Sequence, residues 1–223
     1  MAVTLDGTNT QSANETGVSS LTFSRTTSSG SNTGIVVQVV CYGANRATSG
    51  VTFNTTALTK LIQNDANNVN TSLWFLPSPA VGALNVVVTQ PGNCDGISAA
   101  AIALFGVQQS TTPDSTSPGN VFTGASSPIT ESITTIAANC WIFDAIGDQA
   151  RTLTKGAAQT LSLDQFGHTG AGSYKTDVSA GANSMTWTYV GGTEDGVYAV
   201  AALAPAAAAS AYRANNLLLL GVS

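Results

Sequence analysis

A continuous β-branched run, IVVQVV at Ile35–Val40, is the clearest strand signal in the chain. Because only Gln38 interrupts its apolar character, the run is typical of a strand that is buried on both faces. On either side of it, short apolar runs recur about every 10–15 residues with Gly, Asn and Ser between them. This rhythm predicts a β-sandwich and not alternating strands and helices.

The predicted strands share β-branched or aromatic residues between turn residues, and they are Ile35–Val40, Val51–Phe53, Leu58–Ile62, Thr71–Leu76, Leu84–Thr89, Ser98–Phe105, Ile129–Thr135, Cys140–Ile146, Thr160–Phe166, Ser184–Tyr189 and Val197–Leu203. Asn54-Thr55-Thr56 predicts a tight hairpin turn, and Gln90-Pro91-Gly92-Asn93 predicts the end of the strand before it. The polar stretch from Gln108 to Ser127 is typical of a long connection between two halves. We therefore expect an all-β fold, a single antiparallel β-sandwich of jelly-roll or Ig-like type over residues 1–205.

The last segment, residues 206–223, is expected to be an extended C-terminal tail. It contains four consecutive leucines, Leu217, Leu218, Leu219 and Leu220, which are costly to expose to water. They could dock on their own sandwich, or they could pack on a neighbouring subunit by adding a strand to an open sheet edge. These leucines are the candidate subunit-interface residues.

The composition excludes several classes of function. Only 9% of the residues are charged, against about 25% in a typical soluble domain. Acid–base, metal and phosphate chemistry draws on charged residues and histidine, so we expect no enzyme, no cofactor and no metal site. The net charge of −5 and the scattered basic residues argue against nucleic acid as a partner. No apolar stretch reaches the roughly 18 residues that span a membrane, and no export signal is visible, so we expect assembly in a cytoplasm.

The few candidate chemical groups have ordinary explanations. The acidic residues that lie closest in sequence are Asp144 with Asp148, and Glu194 with Asp195. Two carboxylates could support glycoside hydrolysis, but we expect both pairs to be turn or solvated residues. The single histidine, His168, lies in a predicted loop without a nucleophile elbow in the sequence, and we expect it to be solvated.

The three cysteines are Cys41, Cys94 and Cys140. An odd number cannot pair completely within one chain, and the spacings match no zinc pattern. They could be buried free thiols that act as small hydrophobic residues, or one disulfide with a spare thiol. The sequence leaves both open.

Several motifs in order resemble a β-sandwich family that is widespread in bacterial surface proteins and phage structural proteins. These motifs are IVVQVVCY at Ile35–Tyr42, VTFNTTALTKL at Val51–Leu61, SLWFLPSP at Ser72–Pro79, LNVVVT at Leu84–Thr89, AIALFGV at Ala101–Val107 with Thr112-Pro113-Asp114, WIFDA at Trp141–Ala145, and Met185–Trp187 followed by Tyr198–Pro205. The chain departs from the family pattern at Asn54-Thr55-Thr56, where a Gly-Gly turn is usual, and before Pro205, where a lysine is usual. The resemblance implies a structural role without catalytic residues or a cofactor.

Two functions are therefore expected from different classes. The first is a non-enzymatic virion protein, a capsid decoration or tail component that assembles with itself, for example as a trimer, and with other virion proteins such as the major capsid protein. Its place would be the virion, assembled in the host cytoplasm. The second is a carbohydrate- or receptor-binding module at a cell surface or outside the cell, in which Trp187, Tyr174 and Tyr189 would contact the ligand.

Overall fold

The computed structural model describes residues 1–7, 11–117, 119–148, 152–164 and 170–207. Within these ranges the chain forms nineteen strands arranged in four antiparallel sheets. The same ranges contain no helix with the length and apolar character needed to cross a membrane. The prediction of an all-β antiparallel sandwich is confirmed.

The N-terminal half consists of ten strands, β1 (Thr4–Leu5), β2 (Gln11–Glu15), β3 (Val18–Thr27), β4 (Gly34–Tyr42), β5 (Gly50–Phe53), β6 (Thr56–Ala57), β7 (Thr59–Ala66), β8 (Val69–Pro77), β9 (Gly82–Cys94) and β10 (Gly96–Phe105). One sheet, the N-inner sheet, has the order β1-β10-β4-β8-β7, with β2 also paired to β10. The second, the N-outer sheet, has the order β3-β9-β5-β6.

The C-terminal half consists of nine strands, β11 (Ser115–Thr116), β12 (Asn120–Ala125), β13 (Ile129–Thr135), β14 (Cys140–Asp148), β15 (Thr154–Lys155), β16 (Thr160–Leu163), β17 (Ala171–Val178), β18 (Gly181–Thr188) and β19 (Glu194–Leu203). Its C-inner sheet has the order β11-β19-β14-β17-β16, with β12 also paired to β19. Its C-outer sheet has the order β13-β18-β15.

The two halves repeat one topology. In the N-terminal half, β2-β10-β4-β8 face β3-β9-β5-β6, which is the strand order of a jelly roll. In the C-terminal half, β12-β19-β14-β17 face β13-β18-β15 in the same order, and β16 flanks β17 as β7 flanks β8. The chain is therefore a tandem of two jelly rolls, an arrangement that the sequence analysis did not predict.

The four sheets stack in the order N-outer, N-inner, C-inner and C-outer around three apolar cores. Strand β4 contributes to two of these cores. Val36 and Val40 face the central core between the inner sheets, while Val37 and Val39 face the N-terminal core. The third core, which includes Met185, lies between the C-inner and C-outer sheets. The prediction that Ile35–Val40 is buried on both faces is confirmed.

The central core requires a glycine at one point of close approach. A Cβ added to Gly147 in β14 would lie 2.1 Å from Cγ1 of Val69 in β8. Because a larger residue would force the two inner sheets apart, the missing side chain allows this tight packing.

The structure confirms one predicted turn and corrects two predictions about where strands end. Asn54 and Thr55 have φ of 46° and 66°, which is typical of a two-residue hairpin turn and confirms that prediction. The predicted end of the strand at Gln90-Pro91-Gly92-Asn93 is wrong, because β9 continues to Cys94 through a register shift opposite β3, and such irregularities tolerate proline. The predicted connection from Gln108 to Ser127 contains β11 and β12, because both add to the edge of β19.

Candidate functional site

The most unusual polar group in the described structure is the carboxylate of Asp144. It lies in the middle of β14 and is fully buried, so the expectation of a solvated acid is wrong. Its Oδ1 accepts hydrogen bonds from the N–H of Ser173 at 2.6 Å and from Oγ of the same residue at 2.8 Å. Its Oδ2 accepts hydrogen bonds from Nε1 of Trp187 at 2.9 Å and from the hydroxyl of Tyr198 at 2.7 Å. Strands β17, β18 and β19 therefore converge on one acid.

The hydrogen-bond network around this acid continues into the N-terminal half. Nε2 of Gln38, in β4, donates to the carbonyl oxygens of Asp144 at 2.7 Å and of Ser173 at 2.9 Å. Oε1 of Gln38 accepts a hydrogen bond from Oγ of Ser162 at 2.6 Å. Gln38 is itself fully buried, so its amide forms hydrogen bonds across the central core between the two jelly rolls.

On the C-outer side, Gln159 completes the network. Its Nε2 donates to Oγ of Ser173 at 2.7 Å, and its Oε1 accepts from the N–H of Thr186 at 2.7 Å. Because Asp144, Ser173 and Trp187 are fully buried, no substrate reaches the carboxylate in this structure. The network therefore joins three sheets.

Burial raises the pKa of Asp144 to about 6, although the hydrogen bonds from Tyr198, Ser173 and Trp187 lower it in part. An aspartate in an unfolded chain has a pKa close to 3.8. Between these two values the folded state binds more protons than the unfolded state, so this group makes the protein less stable as the pH rises.

We therefore expect the free energy of unfolding to fall by about 2 kcal/mol between pH 4 and pH 6 through this group. Above about pH 7, where the group is deprotonated in both states, its contribution should be constant. Urea unfolding of the wild type at pH 4, 5, 6 and 7 measures this slope, and Asp144→Asn is the control because its side chain does not titrate. Equal pH profiles for the two proteins would contradict the assignment.

Among the described residues, the two outermost faces of the stack carry no charged side chain. On the N-outer sheet, the outward side chains are small and mostly hydroxyl or amide groups, and they are Ser20, Thr22, Ser24, Thr26, Thr52, Ala83, Asn85, Val87 and Thr89. On the C-outer sheet, the corresponding outward residues are Thr130, Ser132, Thr134, Thr154, Ala182, Ser184, Thr186 and Thr188. Each face is therefore a ladder of short side chains without a charge.

Neighbouring strands align these short side chains in pairs. Thr22 faces Val87 across β3 and β9, and Thr130 faces Thr186 across β13 and β18 with their hydroxyl oxygens 3.2 Å apart. A shallow groove of about 340 Å³ opens on the N-outer face beside the β5–β6 turn, and it is lined by residues such as Asn54 and Asn85. The groove offers hydroxyl and amide groups without a charged residue.

The remaining candidate residues from the sequence fall in the core or outside the described residues. Trp187 is 0% exposed, and Tyr174 and Tyr189 are each 6% exposed. Tyr174 stacks on Trp141 with ring centroids 5.3 Å apart, and the hydroxyl of Tyr189 donates to the carbonyl of Ala125. None of these three aromatic side chains therefore offers an open ring face to a sugar.

Three sets of predicted residues cannot be placed. Leu217, Leu218, Leu219 and Leu220 lie outside the described residues, and so does His168. The side chain of Asp148 is also outside the described part, whereas Asp195 accepts a hydrogen bond from the N–H of Gly124 at 2.6 Å. Glu194-Asp195-Gly196 was predicted to form a turn, but β19 already begins at Glu194.

Within the described ranges, no three His, Cys, Asp or Glu residues come together as a metal site. In comparisons with known protein families, curated proteins and solved structures, none matches this chain. The resemblance to a family of surface and phage structural proteins therefore stays a prediction.

Proposed function

We propose that this protein is a non-enzymatic structural component of a virus particle, a capsid decoration protein that assembles in many copies. Its partners would be copies of itself, for example in a trimer, and other virion proteins such as the major capsid protein. Jelly rolls are a common architecture of viral capsid domains, and the order of sequence motifs resembles phage structural proteins. Both supports are analogies of fold and family.

The observation that carries the proposal is the pair of uncharged outer faces. Charged residues are depleted at the cores of protein interfaces, and an uncharged ladder can be covered without burying an unpaired charge. Short Ser and Thr side chains also lose little rotamer freedom on contact. A rigid sheet face such as Thr22 with its neighbours on β3 and β9 is therefore well suited to repeated packing against other subunits.

A single charge on the N-outer face tests this proposal. We expect Thr22→Lys to weaken assembly at least about tenfold, because the contact would bury an unpaired ammonium group. Sedimentation velocity over a range of concentrations measures the association, and circular dichroism checks that the strand content is unchanged. The matched control is Val190→Lys, which places the same charge at a residue that is 91% exposed in the β18–β19 connection.

A second variant, lacking Asn215–Ser223, separates the sheet face from the leucine tail. If this truncation abolishes assembly while Thr22→Lys assembles like the wild type, the tail is the interface and the proposed face is not. A wild type that stays monomeric at every concentration and binds no virus particle would contradict the structural role as a whole.

A further inference from the structure

Two of the three cysteines lie against each other inside the N-terminal jelly roll. Cys41 belongs to β4 of the N-inner sheet and Cys94 ends β9 of the N-outer sheet, and both side chains are buried in the core between these sheets. The N–H of Asp95 donates to the carbonyl of Tyr42 at 3.0 Å, so the residues that follow the two cysteines are joined directly. Each thiol is close enough to shift the pKa of the other.

The surroundings distinguish the two sulfur atoms. Nε2 of Gln90 donates to Sγ of Cys41 at 2.8 Å, and burial raises the pKa of this thiol well above its usual value. The hydrogen bond from Cys41 lowers the pKa of Cys94. In the folded protein, Cys94 is therefore the more acidic of the two thiols.

The third cysteine is in a different core. Cys140 lies at the start of β14 in the core of the C-terminal half, and its Sγ donates to the carbonyl of Ala137 at 3.1 Å. Burial raises its pKa to about 12, with the nearby carboxylate of Asp114 adding to the rise. It has neither a second thiol in its core nor a low pKa.

We propose that Cys41 and Cys94 are a disulfide-forming pair that joins the two sheets of the N-terminal jelly roll covalently, with Cys140 left as a free thiol. The two buried side chains share one core and the residues after them are joined by a backbone hydrogen bond, so a disulfide between β4 and β9 needs little movement of the backbone. The bond would tie β4 to the end of β9, where β9 carries its register shift opposite β3. This inference is independent of the proposed function.

The oxidant in this reaction is a small-molecule disulfide such as oxidised glutathione. The thiolate of one cysteine attacks one of its sulfur atoms, forms a mixed disulfide and releases one small thiolate. The other cysteine then loses its proton to water and attacks the sulfur of the first cysteine, which releases the second small thiolate. Two protein thiols are oxidised, one small disulfide is reduced to two thiols, and the protons remain in the solution. Because both cysteines are buried, the exchange occurs while the sheets are open during folding.

The test refolds the full chain with an excess of oxidised glutathione. After denaturation, the count of free thiols should fall from three to one. The intact mass should fall by about 2 Da, and peptide mapping should show the Cys41–Cys94 linkage. The melting temperature should rise by roughly 5–15 °C and return to its former value with reductant, because the bond restricts the unfolded chain.

Serine variants serve as controls in the same experiment. Cys140→Ser should form the same linkage as the wild type, whereas Cys41→Ser and Cys94→Ser should show no mass loss within the chain. Three free thiols after oxidation, a linkage to Cys140, or a persistent mixed disulfide with glutathione would each overturn the proposal. Since the linkage is measured on the wild type, a serine variant that fails to fold does not affect the test.

Discussion

Asp144→Ala is expected to lower the free energy of unfolding by about 3–5 kcal/mol. The change removes both acceptor oxygens from Ser173, Trp187 and Tyr198. Each buried donor without a partner costs about 1–3 kcal/mol, and the lost carboxyl group leaves a cavity as well. The three strands that meet at this acid would then lose their common polar contact.

Urea unfolding at pH 5 measures the effect of Asp144→Ala most clearly. At this pH the side chain, with its pKa of about 6, is mostly protonated in the folded state, so the wild type bears little cost of a buried charge. Asp164→Ala is the matched control, because Asp164 is exposed after β16 and its loss should change stability by less than about 0.5 kcal/mol. Similar losses in the two variants would show that the buried network contributes nothing particular.

Gln38→Leu is expected to cost about 2–4 kcal/mol, because it leaves three buried polar groups without this partner. They are the carbonyl oxygens of Asp144 and Ser173 and the hydroxyl of Ser162. Leucine has a similar volume to glutamine, so the loss arises from the missing hydrogen bonds and not from a cavity. Since Gln38 lies in the central core, the change weakens the contact between the two jelly rolls.

The matched control for this substitution is Gln63→Leu, whose amide oxygen accepts a hydrogen bond from Lys60 at 2.8 Å at an exposed position. Its expected cost is below about 0.5 kcal/mol. A double-mutant cycle with Ser162→Ala isolates the hydrogen bond across the central core, and we expect a coupling of about 1 kcal/mol. A coupling of zero would mean that Gln38 and Ser162 do not stabilise each other in solution.

Much of the candidate site could not be predicted from the sequence, and Asp144 shows why. Within CWIFDAI it is the one charged residue in an apolar run, and that contrast is a signal for a buried polar group. Its partners lie on β17, β18 and β19, however, and nothing in local periodicity indicates that these strands converge there. For the same reason, the sequence analysis names Trp187 as a candidate for ligand contact, although its Nε1 donates a hydrogen bond to this buried acid.

The sequence by itself determined many of the strands, because alternation and β-branched runs such as Ile35–Val40 are local properties of neighbouring residues. It did not indicate β3 or β17, which are rich in small and polar residues. It also determined the turn at Asn54 and Thr55, since short polar residues between two strand signals indicate a hairpin and asparagine readily adopts positive φ.

Only the tertiary structure decided which strands are neighbours, and with them the tandem of jelly rolls, the contact between Cys41 and Cys94, and the burial of Asp144. The physical reason is that strand pairing joins residues far apart in the chain, and a shift of one residue exchanges the two faces of a strand. Two faces that are both apolar, as in β4, give no local signal of which core each one meets.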